Sequence, residues 1–182
     1  MAEIVALATE RLILRPWRER DRAPFAALNA DAETMRFFPA PLSRAQSDAA
    51  IDAMSARMAE QGWGFFALER KADGAFAGMT GLNRPRFEAP FMPCIEIGWR
   101  LPRSAWGQGY ASEAARACLD FAFATLGEKR VVAFTAVANA PSRRVMERIG
   151  MTRVADGDFD HPNVPEGHPL RRHVLYEIAR TA

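Results

Sequence analysis

The sequence predicts a mixed α/β (α+β) fold arranged around a single sheet, and three observations carry that reading. Segments with strand-like alternation and segments with helical spacing follow one another along the chain, with no separation into blocks. Residues 130–137 (RVVAFTAV) are nearly continuous apolar sequence rich in Val, as in a strand buried on both faces in the middle of a sheet. An Asp73-Gly74 pair between two apolar runs marks a hairpin, and with it an antiparallel section.

Taken in order, residues 11–17 (RLILRPW) alternate apolar and charged side chains like a half-buried strand. RERDRAPFAALNA follows with Phe25 and Leu28 at helical spacing. Ser43 then stands as N-cap to a helix bearing Ala50, Ile51, Met54 and Met58, and Gly62 sits where a C-terminal glycine belongs. From Trp63 the period shortens, giving two strands around KADG and a third in PCIEIGWRLP. ASEAARACLDFAFATLG reads as a helix ending at Gly127, with Ala111, Ala114, Ala115, Cys118, Leu119, Ala122, Phe123 and Leu126 on one apolar face. After the buried strand, NAPSRRVMERIGM gives a short helix with Pro141 near its start and Gly150 past its end. RHVLYEIAR is a closing strand. With no repeat or linker to divide it, the chain reads as one domain, residues 1–182.

Composition narrows the function classes. The chain is 49% hydrophobic and 25% charged, ordinary for a globular domain, and its 182 residues suffice to bury roughly 70% of the unfolded surface. No stretch reaches the roughly 18 apolar residues of a membrane span, and the start, with Glu3 and Glu10, lacks a cationic leader region, so a cytoplasmic location is expected. A net charge of +2 spread along the chain gives no basic block for nucleic acid. Cys94 and Cys118 lie in apolar patterns without metal or redox spacing and read as core residues. His161, His168 and His173 lack the spacing of zinc ligands, so no metal is expected, although the loop DHPNVPEGHPLRRH can shape an acceptor site.

WGQGYASEA raises the functional question. Gly107 and Gly109 bare the backbone ahead of a helix whose first N–H groups are free, so the loop can close around a phosphate; glycines before a helix also serve as plain turn residues. A dinucleotide fold needs a third glycine where Ser112 stands, and a Walker loop needs Gly-Lys-Ser/Thr, so neither nucleotide reading holds.

IEIGWRLPRSAWGQGYASEA followed by NAPSRRVMERIGM resembles the GNAT superfamily of acyl-CoA-dependent N-acetyltransferases. TERLILRPW and the tail through HVLYEI are similar to its RimJ/RimL-like branch. The resemblance implies a mostly antiparallel sheet, flanked by helices, that splays at the cofactor site. It implies acetyl-CoA as co-substrate, with Trp106, Gly107, Gln108, Gly109, Tyr110, Ala111 and Ser112 forming the pyrophosphate loop. The N–H groups from Gln108 to Ser112 would hold the phosphates; Trp106 replaces a polar residue of the general motif and would serve in packing. Asn139 matches an asparagine that binds the CoA arm, though by itself it reads as a helix-start residue, and Arg143 and Arg144 either meet CoA phosphates or stay solvated.

Transfer of an acetyl group to an amine requires a neutral amine and a proton source for a thiolate of pKa about 8.5. Glu96, flanked by Ile95 and Ile97, points to the opposite face from both; the resemblance, in which many members keep a carboxylate on this strand to accept the amine proton, implies it as the base, against the alternative of a solvated or structurally paired carboxylate. Ser142 matches a serine near the sulfur, or else caps its helix. Where many members of the superfamily carry a tyrosine acid, this chain has Met146, and its only tyrosines are Tyr110 and Tyr176. The acceptor is expected to be a small-molecule or peptide amine. A non-catalytic acyl-CoA sensor is the rival reading, and exposed sheet edges make a homodimer an expectation as well.

Overall fold

The computed structural model describes residues 3–180. The chain opens with strands β1 (Leu7–Ala8) and β2 (Leu12–Arg15), then helices α1 (Arg22–Ala30) and α2 (Arg44–Gln61). Strands β3 (Phe65–Arg70), β4 (Phe76–Asn83) and β5 (Ile95–Arg100) lead into helix α3 (Tyr110–Ala124). Strand β6 (Arg130–Ala136), helix α4 (Ala140–Arg148), the two-residue strands β7 (Thr152–Arg153) and β8 (Phe159–Asp160), and β9 (Arg172–Ala179) complete the order. The sheet runs β1-β2-β3-β4-β5-β6-β9-β7, with β8 also on β9. Every pairing is antiparallel except β5 with β6.

Local sequence explains the boundaries. Ser43 caps α2 in a capping box with Gln46, and Gly62 ends it in the left-handed conformation that glycine adopts without penalty. Asn139 caps α4 through the Ser142 N–H, with Pro141 in the first turn. α3 begins one residue ahead of the expected start and stops short of Gly127. β1, β7 and β8 were not legible because two residues carry no period. Cys118 is fully buried as expected, whereas Cys94 is only half-buried at the start of β5.

The two faces of the sheet do different work. Ile95 and Ile97 of β5 join Leu82, Val131 and the alanine face of α3 in the main core. The opposite face carries Phe65 and Met79, which pack with Phe25, Leu28 and Ile51 from α1 and α2. Val131, Val132 and Ala133 of β6 are fully inaccessible, as the continuous apolar run requires.

A buried ion pair ties the first helix to the sheet. Arg15, 3% exposed at the end of β2, donates from both terminal nitrogens to the carboxylate of Asp21, itself 1% exposed, at 2.7 and 2.9 Å, and from Nε to Glu69 at 2.6 Å. Burial alone would raise the Asp21 pKa, but the Arg15 hydrogen bonds and the Arg18 N–H hold it below the usual range. Removing one partner strands the other charge, so Asp21→Ala is expected to cost about 3–5 kcal/mol of unfolding free energy in denaturant titrations. Because the folded pKa is depressed, this contribution is full above the unfolded value near 3.9 and fades as pH falls through the folded one. The gap between parent and variant therefore closes in acid.

Candidate active site

The site exists because two neighbouring strands part. β5 and β6 pair only at Ile95 with Val131 and Glu96 with Val132, then diverge, while β5 stays bonded to β4 and β6 to β9 along their lengths. A cavity of about 820 Å3 opens in the gap. Glu96 and Gly98 from β5, Thr135 from β6, Gly109 and Ser112 from the glycine loop, and Asn139 and Ser142 from α4 all line it. All the sequence-predicted site residues but Gln108 are thus brought to one place.

The glycine loop supplies donors. Gly107 and Gly109 both have positive φ, +72° and +79°, so a side chain at either is strained whatever space surrounds it. Nothing lies within 4 Å of a Cβ built on Gly107, while on Gly109 it would meet the Arg11 guanidinium at 3.5 Å. Among the described residues no acceptor takes the N–H groups from Gln108 to Ser112, and the first intrahelical bond runs from the Glu113 N–H to the Gly109 carbonyl. The row of free N–H groups and the positive helix end therefore face an anion site. Arg144, without an ion-pair partner among the described residues, lines the same cavity.

Two of the loop's residues behave otherwise than packing or binding by side chain would require. Trp106 is 39% exposed: its indole N–H donates to the Leu101 carbonyl at 2.8 Å and Arg36 covers its face, so it braces the loop and contributes little to the core. The Gln108 side chain turns back to the Ser104 carbonyl, leaving only its backbone toward the anion site. Behind the loop, Glu113 accepts from Thr9 and Arg11, tying the start of α3 to the first strands.

Glu96 occupies the last position of β5 that pairs with β6. Its Oε2 accepts from Asn83 Nδ2 at 3.2 Å, and Arg57 donates to Asn83 Oδ1 at 3.0 Å, which fixes the amide with its NH2 toward the carboxylate. Burial raises the Glu96 pKa to about 7, against the smaller downward pull of Asn83. A carboxylate half-ionised near neutrality is suited to accepting a proton.

On the other wall, Asn139 Oδ1 accepts from the Ser142 N–H at 3.2 Å and its Nδ2 donates to Thr135 at 2.9 Å, so its ordinary capping role is filled while one amide hydrogen stays free. Met146 is buried at the back of the cavity. Tyr176 is bound to α4 instead, donating to Glu147 at 3.0 Å and accepting from Arg143 at 3.4 Å, which also takes Arg143 away from the cavity. Tyr110 lines the cavity under the Arg11 guanidinium.

Sequence reasoning missed several lining groups. The segment 31–42 between α1 and α2 brings Arg36, Phe37 and Phe38 over the cavity, with no periodicity to announce it. His161 and His173, 4.9 Å apart between ring centroids amid Phe134 and Phe159, also line it, and these two fall in the loop that the sequence offered for shaping an acceptor site. Burial, and then the neighbouring His173, lower the His161 pKa to about 4, so it is neutral near pH 7. His168 stays outside, its ring accepting from the Leu170 N–H. Among the described residues no group of three or more His, Cys, Asp or Glu side chains is arranged to hold a metal, and no helix is long and apolar enough to cross a membrane.

A sheet split beside a helix N-terminus, with a carboxylate at the point of division, is an arrangement that suits an acyltransferase enzyme. The chain belongs to the GNAT acetyltransferase family: the profile of the Acetyltransferase (GNAT) domain matches residues 11–152. The Bacillus subtilis protein YkkB is 33% identical over 146 residues, covering 80% of this chain and 84% of that one. FsC-acetyl coenzyme A-N(2)-transacetylase of Aspergillus fumigatus is 33% identical over 186 residues, covering 96% and 76%. The GNAT-family acetyltransferase of Bacillus anthracis shares the fold, with a TM-score of 0.79 at 24% identity over 96% of this chain and 98% of that one.

The Asn83 contact is the one that restrains Glu96. Asn83→Leu is expected to move the Glu96 pKa further up from about 7, read by carboxyl-carbon NMR titration, whereas an unmoved value would show that Asn83 does not stabilise the carboxylate.

Proposed function

We propose that the protein transfers the acetyl group of acetyl-CoA to a primary amine by direct attack, with no covalent enzyme intermediate. The observation that carries this reading is that Glu96, where β5 and β6 part, and residues 109–112, whose N–H groups are unpaired, line one cavity. The Aspergillus fumigatus relative, named as an acetyl coenzyme A-N(2)-transacetylase, supports the same donor and acceptor classes. The motifs from Thr9 to Trp17 and from Trp106 to Ala114 favour the RimJ/RimL-like branch, and with it a protein N-terminus or a small amine as acceptor.

In this mechanism the N–H groups of Gln108 to Ser112, with Arg144, hold the pyrophosphate, and the free Asn139 amide hydrogen meets the pantetheine arm. Glu96 takes a proton from the ammonium, directly or through water; the amine nitrogen bonds to the carbonyl carbon and the carbon–sulfur bond breaks. Met146 has no proton to give and Tyr176 is committed to α4, so Ser142 relays one to the sulfur or the thiolate leaves unassisted. The blunt two-residue strands at the sheet's ends make an edge-to-edge homodimer a weak arrangement.

Thiol release on mixing acetyl-CoA with a panel of N-terminal peptides, polyamines, aminoglycosides and amino acids tests the reading. Tight CoA binding with no release for any amine would leave a sensor in its place. Glu96→Gln is expected to lower turnover near neutral pH by about 100-fold while acetyl-CoA affinity holds. The parent rate rises as pH passes through about 7 and Glu96 loses its proton, and the variant's deficit shrinks in alkali as the amine deprotonates unaided.

Gly109→Val places a β-branched side chain in a left-handed position facing the anion site. CoA affinity measured by calorimetry is expected to fall at least about tenfold, roughly 1.4 kcal/mol, in a variant whose circular dichroism is that of the parent. Unchanged affinity would remove the loop from cofactor binding.

A further inference from the structure

Arg100 is a charge without a counter-charge. It lies at the end of β5, on the same face as Glu96 and Gly98, where the antiparallel register sets Glu96 beside Asn83, Gly98 beside Gly81 and Arg100 beside Met79. Arg100 lines the cavity, yet no carboxylate among the described residues pairs with it; its Nε is buried with no hydrogen-bond partner, and its Nη2, which is not buried, donates to no group among the described residues. Every other interaction it makes is neutral. Nη1 donates to Asn29 Oδ1 at 2.6 Å, and the Phe38 ring lies 4.1 Å from the guanidinium carbon.

The arrangement is built and held. Asn29 is fully buried on α1 and donates to Ser47 of α2 at 2.9 Å, which turns its carbonyl oxygen toward Arg100. By contrast, Arg15, the deeply buried arginine of the same sheet, has two carboxylates. Burying a cation is costly unless it is paired, and Nη2, the donor left free on the cavity-lining Arg100, is completed by an anion that arrives with the ligand. Burial also lowers the Arg100 pKa to about 10, with no neighbouring carboxylate to oppose it, and the group is still a cation at neutral pH.

Its distance from Glu96 constrains the ligand. Four residues of extended strand separate their Cα atoms by about 13 Å, and the Glu96 carboxylate leans back beside Gly98, its Oε1 3.9 Å from where a Cβ there would sit, which shortens the span left to a ligand. Between them the Phe65 ring covers Gly98, 3.1 Å from where a Cβ would sit, so the floor from one group to the other is apolar. The geometry points to an acceptor with an amine at one end and a carboxylate at the other, joined by an apolar stretch over Phe65, with Arg100 as the specificity-determining residue that takes the carboxylate. This rests on the transferase reading for the fate of the amine, and on Arg100 alone for the anion.

The test uses binding as well as turnover. Affinities of γ-aminobutyrate, ε-aminocaproate and their carboxamides are measured calorimetrically on the CoA-loaded protein, for the parent, Arg100→Met and Arg100→Lys. The parent is expected to prefer at least one acid over its amide by about tenfold or more, a preference lost in Arg100→Met, which keeps the length and apolar packing, and partly kept in Arg100→Lys. In turnover the same loss appears in the acceptor KM and leaves that of acetyl-CoA unchanged. Equal affinity for acid and amide in the parent, or a preference that survives Arg100→Met, overturns the proposal. So does a tenfold loss of CoA affinity with acceptor preference unaltered, which would give the guanidinium to a cofactor phosphate. If Arg100→Met does not fold, Arg100→Lys decides by the same ratio. An acid preference without any acetyl transfer would support the anion site and count against the transferase reading, so the two fail separately.

Discussion

The structure depends on the short pairing of β5 with β6. Two residue pairs are bonded and the strands then separate, each still secured on its outer side by a full antiparallel ladder. A sheet interrupted in this way leaves main-chain groups unpaired at its centre, where an uninterrupted core would require them satisfied. The chain meets that requirement by turning the gap into a cavity, so that ligand or water can bond to the exposed edges. α3 has to start at the mouth of the gap because its alanine face packs on β4 and β5, and its free N–H groups arrive there as a result.

The same division separates electrostatic tasks. At the helix end the donors are backbone, fixed in place and indifferent to pH. At the last residue of β5 that pairs with β6 the acceptor is a titrating carboxylate, kept near neutrality by burial and steadied by an amide that Arg57 orients. Farther along the face, a guanidinium is oriented by a buried asparagine. The two helices before the sheet thus act on the site through Asn29 and Arg57, although neither reads as functional from its own sequence.

Much of this was legible beforehand, for identifiable reasons. Long elements with one buried face announce themselves by period, which is why α3, β6 and β9 fell where the pattern put them. The glycine loop was legible because the motifs around Gly107 and Gly109 set them apart from plain turn residues, and the face of Glu96 because its flanking isoleucines fix it. Alternation from Glu96 also reaches Arg100, so its orientation was available, but its lack of a partner is a property of tertiary neighbours. The segment over the cavity and the inward histidines depend on long-range packing, and Trp106 changed role because a loop carbonyl, not the core, satisfies its indole.

Both margins of the sheet end in strands of two residues, β1 on one side and β7 and β8 on the other. A nine-stranded sheet with long free margins would be a template on which further copies could add strand by strand. Here an arriving strand finds only one or two main-chain bonds before the chain turns away, too few to offset the freedom it would lose. The fold can therefore keep an open, unpaired interior edge for its ligand without that openness spreading to its perimeter as a seed for fibrillar assembly.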